Sequence, residues 1–377
     1  MKLEGVDLLD GHGWRRGVDL EIAHGRIATI RPGTRRKGAP VICPAPLDLQ
    51  VNGGGGRMLG EAQAPGDVLE ILAAHRRLGT GAILPTLISD TPEVTDRVIH
   101  LVATARKADA GILGLHLEGP HIARPGAHDP ARLRDLTAAD IAAHVDAKAR
   151  LGHLLVTLAP ERATPAQIAE LAEAGVIVSL GHTDCSAAQA EAAFAAGARM
   201  ATHLFNAMSG LHHRAPGLVG AALTSGQAYG LIADGHHVAD AALRVALAAH
   251  PEGAIPVSDA MAVAGTDAEG FTLGDRRVHR RDGRLTLDDG TLAGADLSLL
   301  DGLRHIARVT GQPLTAVLPM GFDRPHRMLT GRPNTLTEGA PARILFLDGD
   351  RIEGYDGHTW RVLPDRTLRP AGGASRD

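Results

Sequence analysis

Three short runs in the chain contain side chains able to hold a metal ion: Leu115-His116-Leu117-Glu118-Gly119-Pro120, Gly181-His182-Thr183-Asp184 and Ala201-Thr202-His203-Leu204-Phe205-Asn206-Ala207. Apolar stretches of strand length lead into each, from Ile112 to Leu117, from Val176 to Leu180 and from Met200 to Thr202. Glu118, His182 and His203 are therefore expected at strand ends. One carboxylate and two imidazoles suit a catalytic Zn2+, which takes three protein ligands and leaves a fourth position for water. The chemistry of such a site is hydrolysis. Fe2+, Co2+ and Mn2+ accept the same ligands. Taken singly, each residue has a plainer reading. Most of the 20 histidines are expected on the surface, and Glu118 alone could be a solvated loop carboxylate. Their common position at strand ends sets the three apart.

The elements that must carry these residues alternate in type. Helical patterns near Gly66 to Arg77, Thr91 to Arg106, Pro165 to Glu173, Ala187 to Ala196 and Ala239 to Ala248 fall between strand-like runs. An α/β chain with this alternation argues for a parallel sheet. A TIM-like (β/α)8 barrel fits best, with Glu118, His182, His203 and Asp259 at the carboxyl ends of strands, where barrel enzymes carry their chemistry. The interval from His182 to His203 is one αβ unit opened by a capping Ser186, so neighbouring strands can deliver both imidazoles to one point. Both chain ends read as short strands and turns: Val18 to Ile22 and Arg26 to Ile30 at one end, Ile344 to Leu347 and His358 to Val362 at the other. A small β-sandwich domain built from residues 1–43 and 335–377 is expected beside a hydrolase barrel over 44–334. The small, polar tail from Ala371 to Asp377 is expected to fray.

Composition limits the partners. A length of 377 residues suffices for one large α/β domain and a smaller one. With 39 Lys and Arg against 43 Asp and Glu, no global basic field exists to attract nucleic acid or acidic lipid. Two Trp, two Tyr and five Phe leave the core to aliphatic residues and offer few rings for stacking bases. Cys43 and Cys185 form no disulfide framework and suit a reducing compartment. Met1 to Arg16 lacks the apolar stretch of a signal peptide, and no later segment has the long uncharged run of a membrane helix. A cytoplasmic location is expected.

Further runs carry a resemblance that spans nearly the whole chain. They are Pro46-Leu47-Asp48-Leu49-Gln50-Val51-Asn52-Gly53, Gly126-Ala127-His128, Arg214-Ala215-Pro216-Gly217, Ala233-Asp234-Gly235-His236-His237-Val238, Ser258-Asp259-Ala260-Met261 and Gly290-Thr291-Leu292-Ala293-Gly294. With the three metal-binding runs they resemble the N-acetylglucosamine-6-phosphate deacetylases of the amidohydrolase superfamily. The resemblance implies hydrolysis of the N-acetyl group of N-acetylglucosamine 6-phosphate to glucosamine 6-phosphate and acetate, a step of amino-sugar catabolism. It implies Asp259 as general base and acid, although an Asp after Ile255-Pro256-Val257-Ser258 could instead cap a helix. It implies His128 against the acetyl carbonyl, and Asn206 and Ala207 on the sugar and phosphate. Arg214 and His237 are implied to clamp the phosphate from a neighbouring subunit of a homodimer. A planar guanidinium suits phosphate oxygens, whereas the plainer reading of His212-His213-Arg214 is a solvated basic loop. His236 adjoins His237, and the pattern Asp-Gly-x-His-Val favours His237.

Several positions depart from the wider pattern. Many amidohydrolases place His-x-His at the end of the first strand to bind a second metal, but here Gln50 and Asn52 stand there. Neutral amides are poor donors to zinc, so one tightly held ion per chain is expected, with Gln50 and Asn52 hydrogen-bonding water. Arg124-Pro125 replaces a frequent Lys pair, and Ala215 a common acidic residue. Gly53-Gly54-Gly55-Gly56 lacks the Lys-Ser/Thr of a phosphate loop and reads as a flexible loop over the site. Two alternatives stand beside the deacetylase. Another amidohydrolase, such as an aminoacylase, a deaminase or a cyclic amidase, would have no use for a phosphate clamp. A non-catalytic barrel scaffold would be expected to have lost its ligands.

Overall fold

The computed structural model describes residues 1–366. Eight parallel strands follow one another around a barrel: β1 (Leu47–Val51), β2 (Ala82–Ile88), β3 (Leu115–Glu118), β4 (Leu154–Leu158), β5 (Ile177–Leu180), β6 (Met200–Ala201), β7 (Ala228–Leu231) and β8 (Ala254–Pro256). Past β8 the chain runs back along β1. There the Asp259 N–H donates to Gln50 O at 3.0 Å and the Asn52 N–H to Ala260 O at 2.9 Å, which closes the ring.

Period-two alternation sorts each strand. Leu115 and Leu117 of β3, Val156 and Leu158 of β4 and Val178 and Leu180 of β5 face outward into the main core under the helices. Leu155, Ile177 and Met200 face inward and, with Leu49, Leu84 and Ile255, fill the barrel with an apolar floor. One inward step further along, the positions turn polar: His116, Thr157, Ser179 and Thr202, all buried. The next inward position of β3 is Glu118.

The helices are α1 (Pro65–Arg77), α2 (Pro92–Ala108), α3 (Ala138–Leu151), α4 (Pro165–Glu173), α5 (Ala187–Ala195), α6 (Gly217–Thr224), α7 (Asp240–Ala249), α8 (Leu299–Thr310) and α9 (Leu314–Thr330). Thr91, Thr137, Thr164 and Ser186 start α2, α3, α4 and α5, each accepting a first-turn N–H on its hydroxyl. The five expected helices lie within two residues of their expected limits. The sequence reading passed over α3, α6, α8 and α9. In α9, Pro319 and Pro325 sit inside the helix and read as breaks from sequence. All but the last residue of α6 is buried, so it shows no amphipathic period.

Strands from both chain ends form the separate sheet. The small β domain expected from both ends is built on one continuous seven-stranded sheet in the order 360–362, 351–355, 344–348, 41–44, 2–10, 13–23, 26–32. Register shifts between Leu3 and Leu8 and at Glu21-Ile22 increase its twist around a core of Val6, Leu8, Leu20, Ile27, Ile42 and Ile344. Asp109 ties it to the barrel: Arg76 donates to it at 2.6 and 2.8 Å, and Arg343 at 2.6 Å. The tail expected to fray, 371–377, lies outside the described residues.

Between β8 and α8 the chain adds a four-stranded antiparallel sheet, Gly270–Leu273, Arg276–Arg281, Arg284–Thr286 and Leu292–Ala295. It was not expected from sequence, although Asp282-Gly283 is a hairpin signal. Its strands are short and rich in Arg. Phe271, Leu273, Val278 and Leu285 pack on Met58 and Met261 beside the barrel mouth.

Candidate active site

Glu118 ends β3, while His182 and His203 stand just past β5 and β6, and all three are buried. His203 Nε2 lies 3.0 Å from Glu118 Oε1. His182 Nε2 lies 3.0 Å from His203 Nε2 and 3.4 Å from Glu118 Oε1. Both histidines take a left-handed backbone, with φ of 50° and 29°. Such conformations persist where the surroundings enforce them, and they gather at functional sites. His182 Nδ1–H donates to Arg124 O at 2.7 Å, which leaves the Nε2 lone pair for the cluster. Burial alone would raise the Glu118 pKa, but the His182 and His203 imidazoles facing it hold its carboxyl well below the usual range. For His203 burial works the other way and is outweighed by Glu118, which raises its pKa. Two imidazole nitrogens facing each other beside a buried carboxylate is a donor set that a divalent cation satisfies. Among the described residues, this is the one group of three or more His, Cys, Asp or Glu side chains whose ligand atoms lie within 4.8 Å of one another.

Asp259 joins this cluster from the segment past β8. No helix starts there, so capping is not its role. Gln50 Nε2 lies 3.0 Å from Glu118 Oε1 and 3.1 Å from Asp259 Oδ1, and Asn52 Nδ2 donates to Asp259 Oδ1 at 2.6 Å. Both amide hydrogens of Gln50 and one of Asn52 are thus directed at the acids. The Asp259 carboxyl is pushed up to about 6, first by burial and then by the charge of Glu118.

His128 comes in on the loop between β3 and α3. Its Nδ1 lies 3.2 Å from the Ser89 N–H nitrogen and 2.9 Å from Ser89 Oγ. A backbone N–H can only donate, so Nδ1 accepts and the neutral ring carries its proton on Nε2. Burial first, and then the nearby His182, hold the ring neutral by lowering its pKa to about 3. Its Nε2 lies 3.9 Å from Glu118 Oε2, so the hydrogen faces the ligand cluster.

The residues expected on the substrate are placed unequally. Asn206 and Ala207 are half-buried in the turn after β6, where the Asn206 amide donates to His203 O and Leu204 O at 3.2 and 3.3 Å, and Ala207 O accepts the Thr183 N–H at 3.0 Å. His237 Nδ1 lies 2.6 Å from Asp234 Oδ2 with its side chain buried, close enough to Asp259 to lower that residue's pKa. His236 is exposed and takes the Arg284 Nε–H at 3.1 Å, so the two adjacent histidines face different ways. Arg214 stands on the exposed stretch 210–216, and its side chain forms no ion pair among the described residues. Arg124 reaches Met208 O at 2.9 Å and Asp184 at 3.2 Å.

The four-glycine run is not the loose loop expected. Gly53–Gly54 pairs with Arg57–Met58 as a hairpin, and the Gly55 and Gly56 N–H groups donate to Ala264 O and Ala262 O at 2.8 Å. Gly55 and Gly56 have φ of +66° and +92°, so the glycines serve a tight turn.

Two groups escaped the sequence reading. His116 Nδ1 faces Leu49 O at 3.2 Å, and a carbonyl only accepts, so Nε2 must accept from Thr157 Oγ1 at 2.8 Å. Thr157 then accepts from Thr202 at 2.7 Å, and Thr202 from Ser179 at 2.6 Å. This chain has one direction and crosses β3 to β6 directly beneath the ligands. His116 stands two places before Glu118, on the same face of its strand, and that spacing could have pointed to it. Asp48, fully buried in β1, accepts the Gln50 and Ser258 N–H groups at 3.2 Å, and burial pushes its carboxyl up to about 7.

No protein-family model matches the chain. Among characterised proteins it is 38% identical to an N-acetylgalactosamine-6-phosphate deacetylase of Shewanella sp. (strain ANA-3), over 81% of this chain and 78% of that protein. It is 36% identical to the N-acetylglucosamine-6-phosphate deacetylase of Homo sapiens, over 92% of this chain and 90% of that protein. Among solved structures, a mutant N-acetyl-D-glucosamine-6-phosphate deacetylase from Mycobacterium smegmatis, in complex with N-acetyl-D-glucosamine-6-phosphate, superposes with a TM-score of 0.86. It is 31% identical and covers 96% of this chain and 98% of that chain. Another, from Pasteurella multocida, gives a TM-score of 0.87 at 27% identity over 96% and 99%. On this likeness along nearly its whole length, with the barrel and its Glu-His-His cluster, the chain belongs to the family of N-acetylglucosamine- and N-acetylgalactosamine-6-phosphate deacetylases.

Proposed function

We propose that this enzyme hydrolyses N-acetylglucosamine 6-phosphate to glucosamine 6-phosphate and acetate. The observation that carries the reading is the meeting of Glu118, His182 and His203 with Asp259 at the carboxyl ends of the barrel strands. Glu118, His182 and His203 would hold one divalent ion, Zn2+ in the first instance. When bound, that ion lowers the pKa of a water and polarises the amide carbonyl. Asp259, ionised at neutral pH, takes a proton from the attacking water. A C–O bond forms at the acetyl carbon, the C–N bond breaks, and the same carboxyl returns the proton to the departing amine. His128 donates its Nε2–H to the acetyl oxygen as that atom gains negative charge. Gln50 and Asn52 keep the carboxylates of Glu118 and Asp259 apart and oriented. Asn206 and Ala207 line the sugar and phosphate.

The exposure of Arg214 supports a homodimer in which this residue reaches the phosphate of the neighbouring subunit's substrate, while His237, buried beside Asp234 and near Asp259 of its own chain, meets the phosphate bound in its own site. Two relatives named N-acetylgalactosamine-6-phosphate deacetylase, at 38% and 36% identity, favour the galacto epimer as a second substrate. The test is acetate release from both sugar phosphates by metal-replete enzyme, with elemental analysis of the purified protein. Acetate from either, with one ion per chain, is the expected result. No acetate from both, or two tightly bound ions per chain, would overturn the reading.

A further inference from the structure

The mechanism leaves the four-stranded sheet without a role, yet that sheet touches three segments of the barrel mouth. Its first hairpin sends Arg276 to the loop between β3 and α3, where Nη2 donates to Ala127 O at 2.5 Å. That carbonyl belongs to the peptide joining Ala127 to His128. Its second hairpin sends Arg284 to His236 at 3.1 Å. Its last strand lies along the segment past β8, where the Ala295 N–H donates to Asp259 O at 3.0 Å. The fit there is close: Gly294 has φ of +65°, and a Cβ on it would lie 2.5 Å from the Met261 side chain and 3.0 Å from Asp259 O. One inserted element therefore grips the backbone at both residues given acid, base or hydrogen-bonding work.

We propose that Arg276 is a positioning residue for this reaction, fixing the main chain at Ala127 so that His128 presents its Nε2–H to the substrate carbonyl. The ring of His128 stands edge-on to His182, with centroids 4.6 Å apart, and is hydrogen-bonded by Ser89 through Nδ1. That contact sets the tautomer, but the ring can still swing about it. Fixing the preceding carbonyl holds the main chain from which that ring swings, and so narrows its range. A guanidinium suits the task because a charged donor to a carbonyl is roughly twice as strong as a neutral one. The loop spans 119–137 between β3 and α3, and Arg276 reaches it from a segment almost 150 residues away in sequence. The inference rests on the deacetylase reading for the role of His128, but the pinning of the loop can be tested apart from it.

The experiment compares metal-replete wild type, Arg276→Met and Arg276→Lys. By hydrogen-exchange mass spectrometry, peptides covering 121–131 should exchange faster in Arg276→Met, while those covering His182 and His203 stay unchanged. Metal content should be equal in all three. On N-acetylglucosamine 6-phosphate, Arg276→Met should lose about 10-fold or more in kcat with KM nearly unchanged, the scale seen when an outer partner of a site is removed. Arg276→Lys should recover much of it. Unchanged exchange over 121–131 would sink the proposal whatever the assays give. So would faster exchange with wild-type kcat, or a kcat loss that follows loss of metal. If wild type itself releases no acetate while exchange over 121–131 still responds to Arg276→Met, the deacetylase reading fails and the anchoring stands.

Discussion

The side-chain amide of Gln50 donates to two carboxylates at once, Glu118 at 3.0 Å and Asp259 at 3.1 Å, and that shared donor separates the duties of the two acids. Glu118 is held ionised by His182 and His203, which suits a ligand, while Asp259 is pushed up to about 6, which suits a group that must both take and return a proton. Replacing Asp259 with Asn should therefore leave the metal in place and lower kcat by about 10²–10⁴-fold; near wild-type turnover would remove Asp259 from the mechanism. His182→Ala or His203→Ala should empty the site in elemental analysis, whereas Gln50→Ala should retain the metal and slow the reaction. Asp48 gives a prediction about pH. Its carboxyl is raised to about 7 in the fold from an ordinary value near 4. The folded chain thus binds this proton more tightly than the unfolded chain does, and stability is lost as pH rises from about 4 through about 7. Asp48→Asn has no such titration. Denaturant unfolding should show wild type losing about 2–3 kcal/mol relative to Asp48→Asn between pH 5 and 8; a constant difference would mean that Asp48 titrates normally.

At the scale of elements, β3 to β6 carry an apolar floor, a layer of one imidazole and three hydroxyls, and then the ligands. The middle layer is satisfied only as a whole, because each hydroxyl gives its proton to the next acceptor toward His116. Thr157→Val should leave His116 Nε2 buried without a donor and cost about 1–3 kcal/mol of stability, read by thermal or denaturant melting. Ligand strands were legible in the sequence because a strand buried on its outer face by helices shows as an apolar run, and because Glu118, His182 and His203 end those runs. One capped helix was legible for a local reason too: Ser186 announces α5. What could not be read depends on distant partners. α6 has no polar face, α9 contains two prolines that its neighbours tolerate, and the four-stranded sheet is stabilised by Met58 and Met261 rather than by its own pattern. At the site, the residue types at Gln50 and Asn52 were plain, but their donation to Glu118 and Asp259 required the closure of β1 against the segment past β8. Arg276 was out of reach altogether, since nothing near it in sequence points to Ala127.

For the molecule as a whole, the exposed stretch 210–216 sets the decisive test of assembly. If Arg214 completes a neighbour's site, an Arg214→Ala chain lacks the clamp and an Asp259→Asn chain lacks the base, yet a mixed dimer contains one site with both. Mixing the two impaired variants should therefore recover deacetylase activity above what either shows alone; no recovery after verified subunit exchange would place the clamp within one chain. Arg214→Ala should also weaken the phosphorylated sugar by about 2–3 kcal/mol in kcat/KM and barely affect N-acetylglucosamine. The seven-stranded sheet has a consequence during synthesis. Its strand 41–44 must pair with 344–348, so when the first emerges from a ribosome, its partner is still about 300 residues from being made. At 5–20 residues per second that interval lasts roughly 15–60 s. Through it the nascent chain displays an unfinished sheet edge of the kind that recruits other strands. The barrel can close in the meantime, but the sheet cannot, so this edge is the part of the young polypeptide most in need of a chaperone.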